Sequence, residues 1–354
     1  MRNHKLALDT TSEIYPLLAP WADFSFADFS THDVVPDAIY IIDRTQFIAN
    51  KTRVLELIDR GIRFVLTNTH EGSDTLQGHV FQYGITDIIK SQRMLLVGGG
   101  DMDTSWPFLC YDSFLPKLFD YEENLSASIN NIFDKVNKPY KFLFLNGRGR
   151  RHRSYLIDRF GKNKLLDHAL WTNLDSNIAP IHYLPPQYEV ERYQSYVGQQ
   201  PLGHYAKFEL FNNDWGEIYL AKAPYEDTYF SLVTETVFDY PYSFRTEKIW
   251  KPIAMAHPWI AVANEGYYKD LHNLGFRTFG HVIDESFDSI ADNQQRIERI
   301  AAVVEDLCNQ NMPEFLAACQ EVCKYNQQHL AHMRIQVRKE FPDRFFKFIN
   351  QYYT

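Results

Sequence analysis

The sequence predicts an α/β chain with two parallel-sheet domains and a helical C-terminus. Three observations carry this. Short apolar runs alternate with amphipathic segments in the first third of the chain, the alternation restarts at "KFLFLN" (Lys141 to Asn146), and from Asp288 onward apolar residues recur at helical spacing. Strands that alternate with helices form parallel sheets covered on both faces, because each crossover helix must lie over the sheet.

The elements follow in chain order. "AIYIID" (Ala38 to Asp43) is short, apolar and β-branched, and so a buried strand. Phe47 to Gly61 has helical periodicity closed by a glycine, and "RFVLTN" (Arg63 to Asn68) is the next strand. "SDTLQGHVFQYG" is expected to be helical, and "RMLLVGGG" (Arg93 to Gly100) runs as a strand into a glycine turn. At "DKVNKPYK" a polar helix end, an Asn and a Pro precede a fresh strand, which places the domain boundary there: 1–137 and 138–354. In the second domain "KFLFLN" leads through a glycine turn into a helix, and "TYFSLVTET" (Thr228 to Thr236) and "PWIAVAN" (Pro258 to Asn264) are later strands. Ile181 to Glu226, aromatic and proline-bearing, yields no readable pattern. Asp288 to Asn311 and Pro313 to Arg338 close the chain as helices.

Composition narrows the class. With 354 residues, 45% of them hydrophobic, the chain can bury two ordinary cores. A formal charge of −9 argues against a general nucleic-acid binder, although a local basic cluster can still meet a phosphate. Cys110, Cys308, Cys319 and Cys323 lack metal-type spacing, which points to a reduced, cytoplasmic compartment. No run approaches the roughly 18 apolar residues of a membrane span, so no transmembrane segment is expected, while peripheral membrane contact stays open.

Two stretches concentrate the chemistry. "NGRGRRHR" puts Arg148, Arg150, Arg151, His152 and Arg153 after a strand and at the opening of a helix, where free N–H groups and the helix dipole favour an anion and Arg forks fit phosphate oxygens. It is neither a G-x-G-x-x-G dinucleotide fingerprint nor a Walker loop. "FRTEKIWKPIAMAHPWIAV" sets the doublet Glu247-Lys248 at the head of an apolar segment, with Thr246 as helix cap and Glu247 where negative charge suits the dipole. Pro252 removes a hydrogen bond to Lys248, so either the helix begins near Pro252 or Thr246 to Lys251 form a distorted first turn. Both alternatives leave the doublet at the carboxyl end of a sheet, where α/β folds hold ligands.

"FSLVTETVFDYPYSFRTEKIWKPIAMAHPWIAV" resembles the donor-site motif of the α1,3-fucosyltransferase-like family of GT-B glycosyltransferases. Glu235 matches the strand Glu, and Thr246, Glu247 and Lys248 match the Thr-Glu-Lys triplet. "FLFLNGRGRRHRSYLIDRF" is similar to the element where an Asn ends a strand and an Arg in the next helix meets the diphosphate; Asn146 and Arg153 match, with Arg150 beside them. The family's Glu-Asn-Ser reads Glu235-Thr236-Val237 here, so the donor's base and sugar can differ. The resemblance implies two Rossmann-like domains facing a cleft. It also implies a nucleotide-sugar donor, a GDP-sugar being favoured, on the second domain, and a glycan or a lipid-linked or protein acceptor on the first. Transfer would be inverting, without divalent metal or other cofactor.

The base that takes the acceptor's proton is expected from the first half, where Glu71 in "TNTHEGSD" and Asp101 in "GGGDMDTSW" each follow a strand; Glu71 ranks first. Asp101-Met102-Asp103 also spells D-x-D, the pattern by which GT-A transferases hold a metal, so a metal-dependent enzyme is one alternative. A non-catalytic nucleotide- or glycan-binding protein is the other. His329 and His332 share a helix but have no accompanying zinc-ligand set.

Overall fold

The computed structural model describes residues 5–8, 14–26, 34, 37–72, 80, 82–100, 106–118, 128, 132–147, 149–173, 181–182, 220 and 222–353. The chain divides into two compact units, Met1–Ser113 with Arg334–Thr354, and Phe114–Met333.

The first unit runs β1 (Lys5–Leu8), α1 (Tyr15–Leu18), β2 (Asp23–Phe26), β3 (Ala38–Asp43), α2 (Arg44–Ala49), α3 (Lys51–Asp59), β4 (Arg63–Gly72), α4 (Thr86–Lys90), β5 (Met94–Gly99) and β6 (Phe108–Cys110). The strands form a sheet of order β2-β1-β3-β4-β5-β6 in which every pair is parallel. Period-2 alternation sorts its side chains: Tyr40, Ile42, Phe64, Leu66 and Leu96 face one core, with Phe47, Val54 and Ile58 of the helices. Ile39, Ile41, Val65, Leu95 and Val97 face another core. The helical segment read from Phe47 to Gly61 is two helices meeting at Asn50, and Gly61 ends it with φ +88°, a conformation that glycine adopts without a Cβ clash. The helix expected at Ser73 to Gly84 lies largely outside the described residues.

The second unit runs α5 (Phe114–Lys117), β7 (Tyr140–Asn146), α6 (Arg151–Lys162), β8 (Ala169–Asn173), β9 (Ile181–His182), α7 (Ala223–Glu226), β10 (Thr228–Thr234), α8 (Glu247–Ala254), β11 (Trp259–Val262), α9 (Tyr267–Asn273) and α10 (Asn293–Cys308). Its sheet has the order β11-β10-β7-β8-β9, parallel except for the two-residue edge strand β9. All seven residues of β10 are buried, as expected of a central strand covered on both faces. From β7 the chain moves outward to β8; it later returns to β10, on the other side of β7, and continues to β11. The β7/β10 border is therefore a topological switch point, where connections diverge to opposite sides, and open α/β sheets hold their ligands at the strands' carboxyl ends beside such a point.

The last helix, α11 (Met312–Tyr352), is longer than its periodicity suggests and carries Pro342. Its residues through Met333 belong to the second unit and those from Arg334 to the first. In the first unit, Phe341, Phe345, Phe346 and Ile349 cover the Ile39–Ile41–Val65–Leu95 face of the sheet. Tyr353 completes the dock: its hydroxyl donates to the Phe64 carbonyl at 2.6 Å, and its own carbonyl accepts from Arg63 Nη1 at 2.8 Å. Among the described residues, no helix is long and apolar enough to cross a membrane.

Candidate active site

Two helices start at the β7/β10 switch point. α6 follows β7 after a four-residue turn, with Arg150 as its N-cap, and α8 follows the loop after β10, with Thr246 as its N-cap. The two starts differ in charge. α8 has Glu247 in its first turn, matching the dipole. α6 has no acidic residue in its first turn; Arg151, His152 and Arg153 stand there, with Arg150 before them. Cationic side chains at the positive end of a helix repel it, so this end of the unit has a standing demand for negative charge.

The loop between β10 and α8 is held by one carboxylate. Glu235 is 0% exposed, and four donors meet it: the Thr246 hydroxyl at 2.7 Å, the Thr246 N–H at 3.2 Å, the Tyr267 hydroxyl at 2.9 Å and the Thr236 N–H at 3.3 Å. A buried carboxylate is tolerable only when satisfied in this way. The matching residue of the strand thus faces inward and orders the turn that follows.

Asn146 and Arg153 also act inside the fold. Asn146, 1% exposed, accepts from the Thr234 hydroxyl at 2.7 Å and exchanges hydrogen bonds with Thr172, locking β7 to its neighbours β10 and β8. Arg153, 4% exposed, donates from Nη2 to the carbonyls of Thr234 and Glu235 at 3.0 and 3.3 Å. Burial, reinforced by the Arg150 charge, pushes its guanidinium down to about 10, still charged at neutral pH. Beside it, His152 donates from Nε2 to the Glu235 carbonyl at 2.9 Å and stacks on Phe238, ring centroids 5.3 Å apart. Burial first, and then the Arg153 charge, press its imidazole down to about 3, so it is neutral.

Lys248 is the solvent-facing part, with Glu247 buried beside it. Lys248 Nζ donates to Glu247 Oε1 at 2.7 Å, to Thr246 Oγ1 at 3.2 Å and to Thr236 Oγ1 at 3.3 Å; its side chain is 26% exposed, that of Glu247 9%. Burial alone would raise the Glu247 carboxyl, but the charges of Lys248 and Lys251 and the hydrogen bond from Lys248 outweigh it and hold it below the ordinary range. The helix does begin at the triplet: Thr246 Oγ1 accepts from the Lys248 N–H at 3.3 Å, and Pro252 lies inside the helix.

The seven positions singled out on the second unit therefore gather around one switch point: Asn146, Arg150 and Arg153 from the β7 side, Glu235, Thr246, Glu247 and Lys248 from the β10 side. Arg150 is exposed and Lys248 partly so, Glu247 shows only a small part of its side chain, and the other four are buried among the strand ends. Tyr267 escaped the sequence reading because it comes from α9, beyond a further strand; its one local signal is Gly266, left-handed at φ +76°, which turns the chain into that helix. On the first unit, Glu71 is the last residue but one of β4, its side chain outside the described residues, as are Asp101 and Asp103 entirely. Among the described residues, no group of three His, Cys, Asp or Glu side chains is arranged to hold a metal ion.

No protein-family model matches the chain, and no curated protein matches it. Among solved structures, the chain is similar to one titled "Crystal Structure of alpha1,3-Fucosyltransferase", with a TM-score of 0.40 and 10% identity over 89% of this chain and 80% of that one. At that level the case for the site rests on its own geometry.

Proposed function

We propose that this chain is a glycosyltransferase that binds a nucleotide-sugar, a GDP-sugar being favoured, at the β7/β10 switch point and passes the sugar to a hydroxyl acceptor. The observation that carries the reading is the meeting of two helix starts at one switch point, one of them carrying Arg150, Arg151 and Arg153 with no acidic residue and the other presenting a partly exposed lysine. A nucleoside diphosphate supplies the missing negative charge, and its ribose supplies hydroxyls to the Glu247 carboxylate.

The chemistry follows from these groups. The acceptor oxygen attacks the anomeric carbon as the bond to the diphosphate breaks, and the proton passes to a carboxylate. Inversion at that carbon follows from a single displacement. Lys248 and Arg150 stabilise charge that develops on the leaving diphosphate, so no divalent ion is required in this scheme. Glu235, Thr246, Asn146 and Arg153 fix the crevice, which removes reorganisation cost at the moment of transfer. We assign the base to Glu71, with Asp101 as its rival.

The test is binding of GDP, UDP, CMP and dTDP to the full chain by calorimetry, with Lys248→Met alongside. A charge-assisted hydrogen bond is worth about 1.5–3 kcal/mol, so the variant should bind the preferred nucleotide about ten- to a hundredfold more weakly. Equal affinity in a folded variant sinks the assignment. Tight nucleotide binding without sugar transfer or donor hydrolysis would favour a binding protein, and activity lost on EDTA treatment would favour the metal-dependent alternative.

A further inference from the structure

The second unit has another concavity, outside the residues discussed so far. A cleft of about 790 Å³ opens between the loop after β10, the start of α9 and the start of α10. That volume suits a small ring-shaped ligand. Its walls are braced. Asp288 accepts from the N–H groups of Tyr268 and Lys269 at 3.0 and 3.2 Å, pinning the first turn of α9. Arg296 donates to the carbonyls of Phe238, Ala263 and Ile290 at 2.6, 3.2 and 2.7 Å, tying both strand-end loops to α10.

Within this braced frame three exposed charged side chains are held by no hydrogen bond of their own, although Asp239 and Glu265 lie near enough to act on the Arg296 charge. Among the described residues, Asp239, Glu265 and Lys269 line the cleft yet have no side-chain hydrogen bond or ion pair. Tyr240 stands beside them, half-buried, and supplies an aromatic surface. The mixture of signs discriminates between ligands. An anion would meet the carboxylates of Asp239, Glu265, Glu285 and Asp288, and a cation would meet the Lys269 ammonium and the Arg296 guanidinium. A hydroxyl donates to the one and accepts from the other, and a pyranose ring adds an apolar C–H face for the tyrosine.

We propose that this cleft binds a neutral monosaccharide unit, with Asp239, Glu265 and Lys269 on its hydroxyls and Tyr240 against its ring. The site is separate from the nucleotide crevice but joined to it by one ring: Phe238 stacks on His152 and carries the Arg296 guanidinium 4.5 Å from its centroid. A sugar held here lies one aromatic side chain away from the basic helix start, a place suited to a second residue of a glycan chain. The proposal does not depend on the nucleotide reading.

The experiment is titration of the 354-residue chain with D-glucose, D-galactose, L-fucose and N-acetyl-D-glucosamine, followed by NMR, with spermidine and inorganic phosphate as charged controls. The expected result is saturable binding of at least one sugar in the millimolar range. Asp239→Asn combined with Glu265→Gln should weaken it at least tenfold, and Tyr240→Ala provides an independent second variant that should do the same. Lys248→Met, which addresses the other site, should leave sugar binding unchanged whether or not it alters nucleotide affinity. Failure of every sugar to saturate, sugar binding undiminished in both cleft variants, or preferential binding of spermidine or phosphate would each overturn the proposal.

Discussion

Lys248 and Glu247 hold each other at 2.7 Å on the rim of the crevice, and each is poised to exchange that partner for a ligand. Glu247→Gln should therefore lower nucleotide affinity and, because the carboxylate is buried against its lysine, also cost about 1–3 kcal/mol of stability, read from the melting temperature. Arg153 is buried as well. Its two bonds to buried carbonyls mean that Arg153→Ala should cost about 1–3 kcal/mol of stability, measurable by urea denaturation, before any effect on ligand is considered. The buried histidines set an acid limit. His257, between the Ser231 hydroxyl and the Thr228 carbonyl, is pressed by burial down to about 3, like His152. Their folded-state values lie below the unfolded 6.5, so the unfolded chain takes up the protons first; stability is full above pH 6.5 and falls as pH drops toward 3. Each histidine contributes a slope of about 1.4 kcal/mol per pH unit inside that window. His257→Gln should flatten the decline between pH 6 and pH 4 in a pH series of chemical denaturation. An unchanged slope would show that the ring titrates normally.

At the scale of elements, Thr246 is both cap and link, giving its hydroxyl to Glu235 while accepting from the Lys248 N–H. Thr246→Val keeps the shape and removes the hydroxyl, so it should cost about 1–2 kcal/mol and displace Lys248, with nucleotide affinity falling in parallel. Thr246→Ser should restore both. The strands that sequence reading found, β3, β4, β5, β7, β10 and β11, are apolar runs flanked by glycine, proline or polar turns, and packing simply uses that pattern. Those it missed lack the signal. β1 is four residues long, and β9 has two residues, paired antiparallel to β8. The site divides the same way. Cationic residues at a helix start and a carboxylate next to a lysine announce themselves in one dimension. The inward turn of Glu235 does not, because it depends on a hydroxyl that arrives from α9, 32 positions later.

For the molecule as a whole, the first unit is assembled from both ends of the chain. Phe341, Phe345, Phe346 and Ile349 cover one face of a sheet that residues 5–110 provide. Phe345→Ala should cost about 3–5 kcal/mol, as for other buried phenylalanines. A chain cut after Met333 should keep the second unit's cooperative unfolding in calorimetry while losing that of the first. Nothing in the helical spacing of α11 tells which sheet its phenylalanines will cover; that is decided by the apolar Ile39–Ile41–Val65–Leu95 face that they bury, and so is legible only after folding. The same closure has a meaning in time. On the ribosome the sheet emerges first and its cover last, separated by roughly 240 residues, which is about 12 to 50 s of synthesis at ordinary elongation rates. During that interval a greasy, parallel-paired surface has no native partner, while the second unit can already close. The nascent chain therefore matures in the reverse of its order of birth, and a chaperone that masks apolar surface would be needed by its first hundred residues rather than its last.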